Sequence, residues 1–445
     1  MPVSPARIAA FQILLRVEQE DAYASELLHS SRYAKLASAD HGLTTELVMG
    51  VLRWRSWLDR EIARQSSLSL AKLDPEVLTS LRLAAYQVMF LDRVPVRAAI
   101  HESVELVKQA RKRSAVSFTN AVLRRLAGVG RHGSATSQIA ASKTSSQLAA
   151  QSAHPEWLVE RWVREFGVDR AVKICSYDQQ IPGTEIRISD PADEEKLKKE
   201  KIQLAPGLLL SSARRVIAGD LTGTPTFREG RVVIQDEASQ LVALLVGQGS
   251  RILDCCAAPG GKTRVLAEQN PSATLIAAEL HPHRARLLRK LVSAANVQVL
   301  AADVCALPLT EFFDRVLVDV PCSGTGTLAR NPEIKWRLKA EDLADLHTRQ
   351  LSILCSAMQR VAQRGRLVYA TCSLEREENQ DVLESALSSD TSFKVLNCHE
   401  DLERLRSQGE LVWEDLGSLT SGPYLRTIPG VHACDGFFAA ILEKL

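Results

Sequence analysis

Two cysteines stand where a thiol could act as a nucleophile. Cys322 lies in Asp319-Val320-Pro321-Cys322-Ser323-Gly324-Thr325-Gly326, and Cys372 in Ala370-Thr371-Cys372-Ser373. Each closes an apolar run, RVLVDVP and GRLVYATC, of the kind that forms a strand buried on both faces. In a parallel sheet both thiols then open on one rim. A thiolate can add to carbon 6 of cytosine and turn the ring into an enamine whose carbon 5 attacks an electrophilic methyl group. A base then removes the proton at carbon 5, and the thiolate leaves by elimination. Such chemistry needs a cysteine of low pKa, an acid to hold ring N3 and a second proton-transfer group. A free thiol titrates near about 8.5, and lower beside a helix N-terminus. A helix expected over 375–388 follows Cys372, and Glu375 and Glu377 favour its first turn. Cys175, Cys255, Cys305, Cys355, Cys398 and Cys434 read instead as small buried hydrophobes.

A third strand, RILDCC, precedes Cys256-Ala257-Ala258-Pro259-Gly260-Gly261-Lys262. Small residues and two glycines let the backbone turn sharply and approach a ligand. The loop sits at the carboxyl end of its strand, where doubly wound sheets bind ligands. It is not a phosphate-cradling Walker loop, because Cys256 stands where the first glycine would be, and it lacks the G-x-G-x-x-G turn. Acidic residues end the next three strands: Glu279, Asp303 and Asp319. One alone reads as a helix cap. Three beside a glycine loop read as acceptors for ribose hydroxyls and an adenine amino group. With no phosphate cradle, adenosine carrying a sulfonium fits better than ATP.

These elements belong to a long chain. At 445 residues it exceeds one ordinary domain, and 45% hydrophobic with 24% charged residues marks a globular protein. No apolar run is long enough to span a bilayer, and the N-terminus reads as a helix of the mature protein. Nine cysteines without a secretion signal point to free thiols in a reducing cytoplasm. No C-x-x-C or H-x-x-x-H spacing suggests a metal site, so no metal is expected. Residues 1–130 hold 18 Lys/Arg against 13 Asp/Glu, a net of +5, which leaves −3 for the rest of a chain of net +2. A basic unit attached to a near-neutral one suits a polyanion, with solvated helix faces as the plainer alternative.

Helical periodicity fills 5–128, with Asp40 and Asp74-Pro75 as helix starts and Pro95 opening another helix. Residues 131–150, RHGSATSQIAASKTSSQLAA, have the composition of a linker. A small α+β unit is expected over 151–240. From 241 to 445 strands alternate with helices, which predicts a parallel sheet, and GFFAAILEKL reads as a final strand.

The motifs LDCCAAPGGKT, DVPCSGTGTLARNPEIKW and ATCSLEREEN resemble the RNA cytosine-C5 methyltransferases, which carry cysteines in both the strand-four and strand-five motifs. HPEWLVERW, QDEASQL and HACDGFFAAIL fit the same family. VPVRAAIHESVELVK and FTNAVLRRL resemble the RNA-binding NusB fold. The combination is similar to the bacterial small-subunit rRNA methyltransferase B group, across nearly the whole chain outside 131–150. The resemblance implies three parts: an all-α NusB-like domain, a small α+β domain and a Rossmann-like α/β domain of class I S-adenosylmethionine (SAM)-dependent methyltransferases. It implies Cys372 as nucleophile, Cys322 as the thiol that aids product release, and Asp319 as the group holding cytosine N3. Cys256, Ala257, Ala258, Pro259, Gly260, Gly261, Lys262, Glu279, Asp303 and Asp319 would line the SAM site. Glu279 departs from the aspartate common there, but its longer arm still reaches a ribose. The expected partner is 16S rRNA, with no membrane, for a cytoplasmic monomer. Two other readings stand beside it. One is tRNA methylation, and the other is a non-catalytic assembly factor, against which the intact Cys322, Cys372, Asp319 and glycine loop argue.

Overall fold

The computed structural model describes residues 3–20, 22–30, 32–33, 35–130 and 139–445. They form two compact units. The first runs to Ile181 and also takes in Leu328–Leu338; the second comprises Pro182–Thr327 and Lys339–Leu445.

The first unit is helical. Its main helices are Pro5–Gln19, Ser38–Arg53, Arg55–Gln65, Pro75–Phe90, Val96–Gln109 and Val116–Val129. Apolar residues at helical spacing, among them Ile13, Leu47, Leu58, Leu81 and Val107, are fully buried between them. Pro75 and Val96 begin helices after Asp74 and Pro95, as expected. Asp74 itself does not cap through its side chain; its carboxylate meets Lys112 at 3.2 Å instead. Asp40 lies inside the first turn of a helix that starts at Ser38.

Of the expected linker, 131–138 lie outside the described residues. Its second half departs from the expectation, because Ser145–Ser152 is a helix whose N-terminus is capped by the Thr144 hydroxyl, accepting from Gln147 N–H. The helices Glu156–Phe166 and Val168–Asp178 also fall in this unit, not with the strands that follow. Leu158, Val159 and Trp162 of the first helix and Ala171 and Ile174 of the second are buried, and Gly167 alone connects the two helices.

Leu328–Leu338 is built into the same unit by polar contacts. Lys335 is buried and donates to the carbonyls of Arg53 at 2.8 Å and Ala153 at 3.0 Å. Trp336 Nε1 donates to Leu52 O at 2.6 Å, and Glu333 accepts from Ala24 N–H at 2.8 Å. Nearby, His154 Nε2 lies 3.2 Å from Asp178 with both side chains inaccessible to water.

The second unit holds two sheets. Strands β1 (Thr184–Arg187), β2 (Gln203–Pro206), β3 (Ala213–Ala218) and β4 (Val233–Ile234) pair antiparallel in the order β2-β3-β1-β4. Ile186, Leu197, Ile202, Leu221 and Val232 make their core. The large sheet contains β5 (Arg251–Asp254), β6 (Thr274–Glu279), β7 (Val297–Ala301), β8 (Phe313–Asp319), β9 (Val361–Thr371), β10 (Phe393–Leu396), β11 (Thr420–Ser421), β12 (Tyr424–Arg426) and β13 (Phe438–Lys444). Its order is β7-β6-β5-β8-β9-β13, parallel as far as β9, with β13 antiparallel. Both β10 and β12 pair with the far side of β13.

Alternate residues of each central strand enter two apolar layers. Ile252, Leu317, Val368 and Ile441 face one, while Leu253, Val316, Leu367 and Leu442 face the other. Burial on both faces explains why these strands read as continuous apolar runs. The chain leaves β5 toward β6 on one side and returns to β8 on the other. That reversal makes a topological switch point at the carboxyl ends of β5 and β8, the usual ligand position in such sheets.

Candidate active site

The loop after β5 carries the predicted cofactor residues at this switch point. Cys256, Ala257, Ala258, Pro259 and Gly260 connect β5 to the helix Gly261–Gln269, with a cis peptide between Ala258 and Pro259. Gly260 has φ +116°, and a Cβ there would lie 2.6 Å from Val292 and 2.7 Å from Leu288. Both its backbone conformation and its packing therefore require glycine. At the root of the loop the Thr263 hydroxyl donates to buried Asp254 at 2.7 Å. Burial pushes the Asp254 carboxyl up to about 7, against the pull of Thr263.

The three strand-end acids sit in the predicted order. Glu279 is buried at the end of β6, where Oε1 accepts His281 N–H at 3.0 Å. Asp303 is exposed beyond β7, and Oδ1 accepts Cys305 N–H at 2.9 Å. Asp303 thus caps the 3-10 turn that follows it, whereas Glu279 does not cap the helix that begins at Pro282, and each keeps a second oxygen. Asp319, half-buried at the end of β8, meets Lys262 Nζ at 2.8 Å. Burial would pull the Lys262 ammonium down, but Asp319 outweighs it and holds the ammonium above its ordinary value. Lys262 also lies 5.0 Å from the centre of the Phe437 ring.

The two cysteines come together on this rim, with Cys322 and Cys372 Sγ 3.3 Å apart and both half-buried. The contact with Cys372, together with burial, drives the Cys322 thiol well above the ordinary range. The loops that carry them also touch, since Gly326 N–H donates to Cys372 O at 2.9 Å. Burial likewise raises Cys255 and Cys256. Cys305, expected inside, is exposed, because it follows the Asp303 turn on the surface.

The helix expected at 375–388 is different in form. A single 3-10 turn spans Arg376–Glu378, and the α-helix begins only at Gln380. Asn379 interrupts them, because its side chain accepts from Thr371 Oγ1 at 2.6 Å and donates to Ser373 O at 2.9 Å. Cys372 is therefore not at the mouth of an α-helix, and the helix-dipole argument for its reactivity lapses. Two residues escaped the sequence reading, Asp254 and Glu378, and so did the pairing of Lys262 with Asp319. Asp254 ends a strand like the other acids and was legible on that ground. Glu378 was hidden among neighbouring glutamates that resemble ordinary helix-start acids.

Residues 241–443 match the family described as 16S rRNA methyltransferase RsmB/F, and residues 4–128 match the NusB family. The chain is 33% identical to a probable ribosomal RNA small subunit methyltransferase B of Bacillus subtilis (strain 168), over the whole of both chains. It is 31% identical to the ribosomal RNA small subunit methyltransferase B of Pseudomonas syringae pv. tomato, over 88% of each. Among solved structures, PH0851 superposes with a TM-score of 0.80 at 22% identity over all of both chains. NSun6 from Pyrococcus horikoshii, solved with SFG, superposes with a TM-score of 0.55 at 19% identity, over 65% of this chain and 98% of that one. These two likenesses are of fold.

Proposed function

The chain belongs to the 16S rRNA methyltransferase RsmB/F family, and from that premise we propose that it methylates carbon 5 of one cytosine in 16S rRNA through a covalent cysteine adduct. The observation that carries the finer reading is the pair of rim thiols, 3.3 Å apart beside the Lys262–Asp319 pair.

SAM is the methyl donor of this SAM-dependent methyltransferase. The donor set fits it. Glu279 has an oxygen to offer ribose hydroxyls and Asp303 one to offer an adenine amino group, while Asp254 Oδ1 is a buried acceptor without a hydrogen-bond partner. Cys256, Ala257, Ala258, Pro259, Gly260, Gly261 and Lys262 form the loop that would hold it, with Asp319 at the edge. Bound there, SAM supplies an electrophilic methyl group on a sulfonium.

The protein's own groups do the rest. The Cys372 thiolate adds to carbon 6 of the ring, and the electron pair moves toward carbon 5. Asp319 holds N3 through a proton shared between its carboxyl group and the ring nitrogen, and Lys262 fixes the carboxyl group that does so. Once carbon 5 carries the methyl group, a base takes its proton, the electron pair of that bond re-forms the carbon 5–carbon 6 double bond and the Cys372 thiolate leaves. Cys322, in contact with Cys372, is assigned to that release.

The basic helical module 1–130 is assigned to RNA contact. Its Arg124 and Arg125 are exposed, whereas Lys112 of the 111–113 cluster is engaged by Asp74 and Glu76. No helix of the described residues is long and apolar enough to cross a membrane. A cytoplasmic monomer acting on RNA is the setting we assign. Bisulfite sequencing of rRNA and tRNA from cells with and without the gene tests this function. The expected result is one 16S cytosine that loses protection when the gene is removed. Loss confined to tRNA would move the substrate, and no loss in either RNA would overturn the cytosine chemistry.

A further inference from the structure

We propose that Glu378 is a positioning residue that sets the distance between the two rim thiols, by holding the loops after β8 and β9 on a single carboxylate. Its catalytic consequence rests on the two-thiol reading above.

Glu378 is completely buried. Its Oε1 accepts from Ser323 N–H at 2.8 Å and from Gln350 Nε2 at 2.9 Å. Its Oε2 accepts from the hydroxyls of Ser323 and of Ser373, the latter at 2.5 Å. Ser323 directly follows Cys322, and Ser373 directly follows Cys372. Gln350 also donates to Pro321 O at 2.9 Å, so the backbone is tied on both sides of Cys322. The two serine hydroxyls lie 3.0 Å apart over the same oxygen.

The backbone that carries the carboxylate is itself anchored to β9 and to Ser373, the residue after Cys372. Tyr369 OH donates to Glu378 O at 2.6 Å, and the next residue, Asn379, is bound to Thr371 and Ser373. Burying a carboxylate is costly unless donors surround it. Here four donors fill its two oxygens, and all four come from the thiol loops or from the helix behind them. Packing alone would not need a charge at this point. A shared acceptor for the residues after each cysteine gives the charge a use: it converts two separate loops into one frame.

The frame can be read without catalysis. Two thiols exchange with oxidised glutathione to give an intramolecular disulfide and two molecules of reduced glutathione. The equilibrium of that exchange measures the effective concentration of one thiol at the other. Full-length protein is equilibrated with glutathione redox buffers and alkylated, and the 322–372 disulfide is quantified by peptide mass spectrometry. Glu378→Ala is expected to lower the effective concentration by about tenfold or more, because four donors lose their acceptor. Glu378→Gln should fall between it and the native protein, since the amide keeps one acceptor and the serine hydroxyls can turn to accept. The kcat for methyl transfer should fall in the same order, with KM for SAM unchanged.

An unchanged effective concentration in folded Glu378→Ala overturns the proposal. If that variant does not fold, the double variant Ser323→Ala/Ser373→Ala keeps the carboxylate and removes both hydroxyl links, and an unchanged value there overturns it equally. A fall in effective concentration with undiminished methyl transfer supports the positioning and contradicts the two-thiol chemistry on which its consequence rests.

Discussion

Two lysines inside motif-like segments, Lys335 and Lys262, meet opposite surroundings. Lys335, in the helical unit, is buried and bonded to two backbone carbonyls. Burial pulls its ammonium down to about 7. The same burial pushes neighbouring Asp178 up. Lys262, on the rim of the sheet, faces the Asp319 carboxylate at 2.8 Å and is raised. A buried ammonium that satisfies carbonyls holds chain segments together. One that faces a partly exposed carboxylate beside the rim thiols is the one we assign to a ligand. Residue type and motif membership did not separate the two roles; the partners do.

The comparison breaks most visibly through stability. Lys335→Ala removes the donor from two buried carbonyls and should cost about 3–5 kcal/mol, the usual size when one member of a buried polar cluster is lost. A thermal melt should show a large drop in Tm. Lys262→Ala should lower Tm less than Lys335→Ala, because Asp319 is partly exposed and water can take the place of the lost ammonium, yet weaken SAM. Equal losses of Tm in the two variants would erase the distinction.

The strand-end acids sharpen it further. Asp303→Ala should weaken SAM binding by about 1–3 kcal/mol, the cost of leaving a ligand donor unpaired. Exposure of Asp303 places the expected value at the lower end. Unchanged affinity by calorimetry would remove Asp303 from the site.

The smallest effect belongs to the basic helical module. Arg124→Ala and Arg125→Ala should each reduce the slope of log RNA affinity against log salt by roughly 0.7–0.9 if each contacts one phosphate. An unchanged slope in both would show that this end of the helix Val116–Val129 lies outside the RNA contact.

The parts most legible in the sequence were those governed by one strong local signal. Apolar runs gave the central strands, because both faces of the sheet are buried. Gly260 and its neighbours marked a turn that only glycine permits, and Asp319 with Cys322 announced itself at a strand end. What stayed hidden depends on particular side-chain bonds that composition and periodicity do not register. Ser145–Ser152 was obscured by small polar residues that also suit a linker, until the Thr144 cap and a buried Leu148 decided for helix. The turn after Cys372 was misread because acidic residues at 375 and 377 favour a helix start, whereas the Asn379 bonds to the end of β9 delay it. Glu378 could not be told from its neighbours, since only the fold brings Ser323 to it across 55 residues.

In the proposed reaction the two rim thiols act at opposite ends. The loss of the helix-dipole argument for Cys372 makes the direct test the decisive one. Each cysteine is replaced by alanine in the full-length protein, which is incubated with SAM and substrate rRNA and run on a denaturing gel. Cys372→Ala should give neither methyl transfer nor a protein–RNA adduct. Cys322→Ala should accumulate an adduct that survives denaturation, because release fails after the methyl group is in place. An adduct trapped by Cys372→Ala and absent from Cys322→Ala would contradict the account and make Cys322 the nucleophile.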